Sequence, residues 1–330
     1  MNILFLTPGS AVPSTRYRVL QYIPWLERNG ARVTTAVVPA GLFARWRLFR
    51  EAAAYDVVVL QKRLMAPGFV RLLRKKARRL VYDFDDAVLF GAPPKGGAAS
   101  ATRSRRFRAV VAAADVVIAG NDYLREMAAP HARDLVVIPT AVDPAKYDAA
   151  AAARRRADGT VKLGWIGGAS TVGYLDSIRD ALDAVGAAHA GARLKVVSDV
   201  FPKFEALPVE AKPWAEAEEA DDVADFDIGL APLTDDPWTR GKCGLKVLQY
   251  LAASKPVVAS PVGIQREMVR HGVNGFCAAG REEWTEALSQ LIRSPETRAR
   301  MGAAGREILG QRYSLALNAP AFAEAVCGRK

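Results

Sequence analysis

The sequence predicts an α/β protein of two domains, each built on a doubly wound parallel sheet. Its 330 residues exceed one ordinary core and suit two domains of about 150 residues each. Short β-branched runs alternate with longer helical patterns, which is typical of βαβ units. The alternation stops near residues 145–160 and then restarts. Half of the residues are hydrophobic and a quarter are charged, as in ordinary globular proteins.

Each domain is predicted from its own series of strands. The first series is NILFLT, ARVTTAVV, DVVVLQ, RLVYDFD, ADVVIAG and LVVIPT, with a helix near residues 16–29. The second series is VKLGWIGG, ARLKVVSD, FDIGLAPL, KPVVAS and GFCA, with helices near 173–190 and 243–253. We therefore predict an N-terminal domain over 1–150, a linker over 151–159 and a C-terminal domain over 160–312. Ligands of such sheets bind beyond the carboxyl ends of the strands, so the residues just after each run are the functional candidates.

Positive charge is concentrated in the first domain. The net charge is +11, and residues 1–157 hold 26 Lys and Arg against 12 Asp and Glu, whereas residues 158–330 hold 20 against 23. Such asymmetry indicates an anionic partner. A membrane surface, a nucleic acid and an acidic substrate all fit the charge.

Two segments of the first domain are both basic and apolar. FARWRLFR at 43–50 interleaves aromatic residues with arginines, and GFVRLLRKKARRL at 68–80 is predicted to be a helix. That helix would have a basic face and an apolar face, formed by Arg71, Arg74, Lys75 and Arg78 and by Leu73, Ala77 and Leu80. The pattern suits docking on an anionic bilayer, and equally suits helices that cover the sheet and expose basic residues to solvent. No recognition fold accompanies the charge, so nucleic-acid binding is disfavoured.

Several classes of protein are disfavoured by what the sequence lacks. MNILFLT is too short for an export signal and is interpreted as a first buried strand, and no apolar run approaches the roughly 20 residues that span a bilayer. The three cysteines lack metal-type spacing, which favours reduced thiols and a cytoplasmic location, including the inner face of the membrane. P-loop and dinucleotide-binding motifs are missing, which disfavours an ATPase or a dehydrogenase. No His accompanies a nucleophile pattern, which disfavours a hydrolase with a catalytic triad.

Residues 226–263 contain the richest set of candidate groups. Five residues open the predicted helix of this stretch: Arg240, Gly241, Lys242, Cys243 and Gly244. Backbone N–H groups, the positive end of the helix dipole and cations converge there, as a diphosphate site requires. Lys246 lies four residues after Lys242, on the same predicted face, and Gln249 follows one turn later. A solvated basic helix start with two turn glycines explains this stretch alone equally well.

Segments across the chain resemble one enzyme family, in the family's order. GLKVLQYLAASKPVVASPVG resembles the donor-binding core of the retaining GT-B glycosyltransferases called group 1 or family 4. VIPTAVD at 137–143, VRHGVNGF at 269–276 and IPWLERNGARV at 23–33 are similar to further segments of that family. Ordinary structural roles explain each piece but not their order. The resemblance implies a GT-B fold, with two Rossmann-like domains facing a cleft and a last helix near 313–325 packing back on the first domain.

The resemblance also implies roles for single residues, although the sequence departs from the family pattern. The two family acids are replaced, the first near Gly241 and the second by Gln249, which can still hydrogen-bond a donor ribose. The Arg and Lys that grip the donor phosphates are absent from WIGGAST. Arg240, Lys242 and Lys246 are expected to stabilise the leaving diphosphate instead. The expected donor contacts lie in two loops and the helix start: Gly167, Gly168, Ser170, Thr171, Gly241, Cys243, Gly244, Leu245 and Gln249.

The first domain is expected to bind the acceptor. In the loop TPGSAVPSTRYR the candidate contacts are Gly9, Ser14 and Arg16, and either Arg16 or Arg18 is expected to reach an anion. Asp85 and Asp86 end another strand, where relatives carry a His, and are candidate catalytic residues beside Asp83. Three carboxylates suit a metal ion. The resemblance nevertheless implies no metal site, no cofactor and no essential magnesium. In the simpler alternative, one Asp caps a helix and another orients a basic loop.

The predicted function is transfer of a sugar from a nucleotide-diphosphate sugar to a glycan, lipid-linked or small-molecule acceptor. The resemblance implies a retaining and metal-independent reaction, of the kind used in polysaccharide biosynthesis. The missing acids and the missing Arg/Lys pair leave an alternative, a non-catalytic GT-B scaffold or partner of another glycosyltransferase.

Overall fold

The chain forms two compact units in the computed structural model, which describes residues 1–91, 99–152 and 159–328. The first unit comprises Met1–Ala141, Asp236–Cys243 and Leu315–Lys330, and the second comprises Val142–Asp235 and Gly244–Ser314. The chain therefore enters the second unit before residue 150, the predicted end of the first domain. Residues 153–158 of the predicted linker lie outside the described residues.

The first unit is built on a parallel sheet of six described strands. These are β1 (Asn2–Thr7), β2 (Arg32–Val37), β3 (Val57–Gln61), β4 (Arg79–Phe84), β5 (Val116–Ala119) and β6 (Leu135–Val137). Their order is β2-β1-β3-β4-β5-β6, and all six predicted runs are confirmed as strands. Because the chain leaves β1 on one side for β2 and on the other for β3, the switch point where ligands bind lies between β1 and β3.

The second unit also has a parallel sheet of six strands within its described residues. These are β7 (Val161–Ile166), β8 (Ala192–Ser198), β9 (Val209–Pro213), β10 (Ile228–Ala231), β11 (Val257–Ala259) and β12 (Gly275–Cys277). Their order is β12-β11-β10-β7-β8-β9, which places the switch point between β7 and β10. The edge strand β9 was not among the predicted runs, because its sequence VEAKP is polar and its residues are largely exposed.

The described residues also form sixteen α-helices. They are α1 (Pro13–Arg18), α2 (Ile23–Arg28), α3 (Leu42–Glu51), α4 (Pro67–Lys76), α5 (Ala101–Ala113), α6 (Asp122–Ala128), α7 (Ala145–Ala152), α8 (Ala169–Val172), α9 (Arg179–Ala188), α10 (Glu219–Ala224), α11 (Pro237–Arg240), α12 (Leu245–Ala252), α13 (Gln265–Met268), α14 (Arg281–Arg293), α15 (Pro295–Arg312) and α16 (Leu315–Cys327). Short 3-10 helices lie at Leu20–Tyr22, Ala52–Ala54, Gly173–Ile178 and Glu216–Glu218.

Both faces of the first sheet are buried. Alternate residues of a strand point to opposite faces, so Leu4 and Leu6 join the core under α3, α4 and α5 while Ile3 and Phe5 join the core under α16. In the second core Phe322 of α16 stacks on Tyr22, with ring centroids 4.1 Å apart. Strands buried on both faces are nearly continuous apolar runs, which is why these strands were recognisable in the sequence.

The predicted helix over 68–80 is wrong at its end. The helix α4 stops at Lys76 because Ala77 is extended, with φ −74° and ψ 127°. Leu80 belongs to β4 and pairs with Val58 of β3, so it lies on the sheet rather than on a helical face. Arg78 also lies beyond the helix and pairs with Asp56 at 3.2 Å.

Candidate functional site

In the second unit, α12 is fixed at the switch point of the sheet. Its apolar residues Val247, Leu248 and Leu251 are fully buried. The Tyr250 hydroxyl donates to the carbonyl of Leu230 at 3.1 Å and accepts from the backbone N–H of Ile166 at 3.3 Å. One side chain thus ties α12 to the carboxyl ends of both β10 and β7. The N-terminus of α12 is therefore held where parallel sheets bind ligands.

Lys246, in the first turn of α12, reaches the loop that follows β7. Its Nζ lies 4.7 Å from the ring centroid of Trp165 and 3.4 Å from Oγ1 of Thr171. Gly167 makes room for this side chain, because a Cβ at Gly167 would lie 2.8 Å from that Nζ. The loop lacks the Arg and Lys of the resembled family, and the ammonium group of Lys246 occupies the space beside it.

The bend before α12 requires glycine at position 244. Gly244 has φ +68°, and a Cβ there would lie 2.4 Å from Sδ of Met268. We expect Gly244→Ala to lower the free energy of unfolding by about 2–4 kcal/mol, since it adds left-handed backbone strain to overpacking. Urea unfolding measures this loss. Gly168→Ala is the matched control, because Gly168 has φ −84° and nothing within 4 Å of its Cβ position. Equal stability of the two variants would contradict the explanation.

The backbone of the loop after β7 is largely used within the protein. The N–H of Gly167 donates to Val197 at 3.1 Å, and the N–H of Thr171 donates to Gly168 at 2.9 Å. The N–H of Ala169 donates to the carboxylate of Asp199 at 2.8 Å. These three N–H groups are thus used inside the protein, and the exposed Ser170 and half-buried Thr171 supply hydroxyl groups to the loop.

In the first unit, Arg18 and Asp83 form a fully buried ion pair. Nε of Arg18 donates to Oδ2 of Asp83 at 3.2 Å, a second guanidinium nitrogen contacts Oδ1, and a third donates to the carbonyl of Ile138 at 2.7 Å. Burial opposes the charge of Arg18, but Asp83 outweighs it and raises the pKa of the guanidinium above its ordinary value. The expectation that Arg18 reaches a bound anion is therefore wrong, because its donors are used inside the core.

Asp85 and Asp86 lie among cations. Lys62, directly after β3, contacts Asp86 and lies 3.4 Å from Asp85, while Lys242 lies 3.5 Å from Asp86. Burial acts to raise the pKa of Asp86, but Lys242 and Lys62 outweigh it and hold that pKa below its ordinary value. A carboxylate held ionised in this way is a weak base. The arrangement matches the alternative in which an Asp orients a basic loop.

The segment Asp236–Cys243 groups with the first unit. The sequence suggested that this segment opens α12, but it does not. Arg240 ends the short helix α11, and Lys242 precedes α12 by three residues. Lys242 and Lys246 therefore do not share a helical face. Nδ2 of Asn121 donates to the carbonyls of Gly241 and Lys242 at 3.3 and 3.1 Å.

Within this segment, Gly241 and Cys243 are packed against neighbouring residues. A Cβ at Gly241 would lie 2.5 Å from Cβ of Ala87. Cys243 is buried, its Sγ lies 3.5 Å from Nδ2 of Asn121, and burial raises the pKa of its thiol. Of the predicted donor contacts, Gly241 and Cys243 thus belong to the first unit, and the others belong to the second.

The predicted acceptor contacts surround the start of α1. Gly9 has open space around it, and Cζ of Arg16 lies 5.3 Å from the ring centroid of Tyr17. Ser14 is buried, and its Oγ has no hydrogen-bond partner among the described residues. The three residues follow β1, at the switch point of the first sheet.

The sequence interpretation missed Lys62 and Asn121. Each follows a buried strand closely, after β3 and β5 respectively, so the rule that placed the other candidates also identifies these two. Over residues 1–91, 99–152 and 159–328, no cluster of three His, Cys, Asp or Glu side chains is arranged to hold a metal ion.

Comparison with known proteins identifies a domain in this chain. Residues 237–308 match the family described as glycosyl transferases group 1. The chain contains a group 1 glycosyl transferase domain. This domain includes α12 with Lys246 and Gln249, so the predicted family is confirmed for the stretch that suggested it.

Curated relatives match a short segment of the chain. The D-inositol 3-phosphate glycosyltransferase of Frankia alni is 42% identical over 67 residues, which are 19% of this chain and 16% of that protein. The chain thus aligns with less than a fifth of the length of this relative.

Solved structures resemble the whole chain and confirm the predicted GT-B fold. The Anabaena protein HepE in complex with UDP and glucose has a TM-score of 0.71 at 17% identity, over 100% of both chains. A complex of HepE with UDP-glucose also gives 0.71, at 18% identity over 100% of both chains. Sucrose-phosphate synthase of Thermosynechococcus elongatus gives 0.74 at 15% identity, over 98% of both chains.

Proposed function

We propose that this chain is a glycosyltransferase whose second unit binds a nucleoside-diphosphate sugar, with UDP as the nucleotide. The observation that carries the proposal is the place of Lys246, whose ammonium lies 3.4 Å from the Thr171 hydroxyl at the switch point of the second sheet. The group 1 domain and the likeness to HepE, solved with UDP-glucose, support the nucleotide.

Stabilisation of the leaving diphosphate is the proposed catalytic contribution of this chain. Negative charge grows on the diphosphate as the bond to the sugar breaks, so a fixed cation and the N-terminus of α12 lower the barrier. Ser170 and Thr171 donate hydroxyl hydrogen bonds to phosphate oxygens, and Gln249 hydrogen-bonds the ribose. We propose retention at the anomeric carbon, with a phosphate oxygen accepting the acceptor proton.

The first unit is proposed to bind the acceptor, a glycan, lipid-linked or small molecule, near Gly9, Ser14 and Arg16. Asp86 is proposed to position Lys62 and Lys242 rather than to exchange protons, because these two cations hold its pKa below the ordinary value. Asp85 is proposed to help position Lys62, which lies 3.4 Å from it. The cytoplasm, including the inner face of the membrane, is the proposed location. No helix of the described chain is both long and apolar enough to cross a membrane.

A ligand screen tests the proposed function. UDP and UDP-sugars are expected to raise the melting temperature more than GDP, TDP or ADP, because a ligand of the native state stabilises it, by about 2.7 kcal/mol at 100-fold excess over its Kd. The shift is expected to persist in EDTA, because the phosphate charge is met by side chains. Loss of the shift in EDTA would contradict metal independence. No shift with any nucleotide would favour a scaffold that has kept the fold.

A further inference from the structure

We propose that the outer face of α3, α4 and α5 docks the protein on an anionic lipid bilayer. These three helices cover one face of the first sheet, and the proposal does not depend on glycosyl transfer. We call this face the basic surface and define it by the outward residues of the three helices.

The charge of the basic surface is almost entirely of one sign. The three helices, all of whose residues are described, contain eleven cations: Arg45, Arg47, Arg50, Arg71, Arg74, Lys75, Lys76, Arg103, Arg105, Arg106 and Arg108. Their sole acidic residue is Glu51. Arg74 is used in an ion pair with Asp115 at 2.5 Å, but Arg47, Arg71 and Lys75 are exposed. A surface of this kind attracts an anionic leaflet, at about 1 kcal/mol for each nearby cation.

Packing turns the apolar sides of these helices inward and leaves one apolar cluster outside. Phe49, Leu73 and Phe107 are buried in the core beneath the helices. In contrast, the start of α3 exposes Leu42, Phe43 and Trp46 to 70%, 75% and 40%. The segment FARWRLFR interleaves three aromatic residues with arginines, but only Phe43 and Trp46 are exposed, because Phe49 belongs to the core.

The exposed cluster is organised for insertion beside cations. The rings of Phe43 and Trp46 stack at 5.9 Å, and the guanidinium of Arg50 lies 4.6 Å from the Trp46 ring centroid. Aromatic and aliphatic side chains flanked by Arg are typical of segments that enter the headgroup boundary. Leu42 offers a nucleic acid neither stacking nor a hydrogen bond, and a second copy would present the same positive charge. A bilayer uses both the cations and the apolar cluster.

Flotation with vesicles tests the proposal on the full chain. Vesicles of phosphatidylcholine mixed with phosphatidylglycerol are expected to bind the protein, and vesicles of pure phosphatidylcholine are expected to bind far less. Arg71→Glu combined with Lys75→Glu should weaken binding about 30-fold or more, the equivalent of about 2 kcal/mol. Leu42→Ser with Phe43→Ser should weaken it about tenfold or more at constant charge.

A matched pair of variants tests whether vesicle binding depends on the basic surface or only on the net charge of the protein. Arg281→Glu with Arg300→Glu makes the same charge change at exposed sites of the second unit and should leave vesicle binding within about twofold. Equal weakening by both charge pairs would overturn the proposal. So would unchanged binding of Leu42→Ser with Phe43→Ser, and so would tight binding of single-stranded RNA without vesicle binding. Circular dichroism confirms that these exposed substitutions keep the fold.

Discussion

Lys246→Ala is expected to lower kcat/KM for sugar transfer about 100- to 1,000-fold, equivalent to about 3–4 kcal/mol of transition-state stabilisation. The side chain lies across the Trp165 ring and reaches Thr171. Its charge is therefore half-buried beside the proposed diphosphate. A cation there acts mainly on charge that develops during bond breaking, and kcat is expected to fall more than substrate binding weakens. Steady-state kinetics with UDP-sugars measures both.

Two further variants make the Lys246 result specific. Lys246→Arg keeps the charge but changes its geometry, and it should recover only part of the activity. Lys203→Ala removes an exposed lysine of the same unit and should leave turnover unchanged. If Lys246→Ala turns over like the parent protein, the diphosphate assignment fails, even where UDP still raises the melting temperature.

Asp83→Asn is expected to lower the free energy of unfolding by about 3–5 kcal/mol. The substitution keeps the shape of the side chain but leaves the buried charge of Arg18 without its partner. Arg18 keeps a single other described acceptor, the carbonyl of Ile138. Chemical denaturation followed by intrinsic fluorescence measures the loss, and the first unit is expected to unfold first.

An exposed ion pair provides the control for Asp83→Asn. Arg47 and Glu51 lie one helical turn apart, with 73% and 59% of their side chains exposed. Glu51→Gln should therefore change stability by about 0.5 kcal/mol or less. Arg18→Met combined with Asp83→Leu removes both buried charges and should recover most of the loss. A double variant as unstable as Asp83→Asn would show that the cost does not come from the unpaired charge.

Most of the fold was predictable because its strands are buried on both faces. Runs such as DVVVLQ are almost wholly apolar, and their βαβ spacing is regular, so eleven of the twelve described strands were recognised. The strand Val209–Pro213 lacks this signal, since an edge strand needs few apolar residues. The end of α4 was missed because Leu80 continues the helical spacing, and only its pairing with Val58 places it in β4.

The candidate site was predictable only one strand end at a time. Charged residues that follow a strand can be recognised as candidates from the sequence alone. Examples are Lys246 near the start of a helix and Asp85 and Asp86 after β4. Which charge meets which is set by strand order. Arg18 and Asp83 are 65 residues apart, and their meeting depends on β1, β3 and β4 lying side by side. The role of Lys62 also depends on strand order, because its partners Asp85 and Asp86 follow the neighbouring strand β4.

The gene for this protein cannot be divided into two halves that encode the two units. The backbone passes between the units at residues 141–142, 235–236, 243–244 and 314–315. A fragment ending at Ala141 would lack Phe322, which stacks on Tyr22, and Asn121 would lose the carbonyls of Gly241 and Lys242. A single recombination event between related genes would therefore exchange incomplete units.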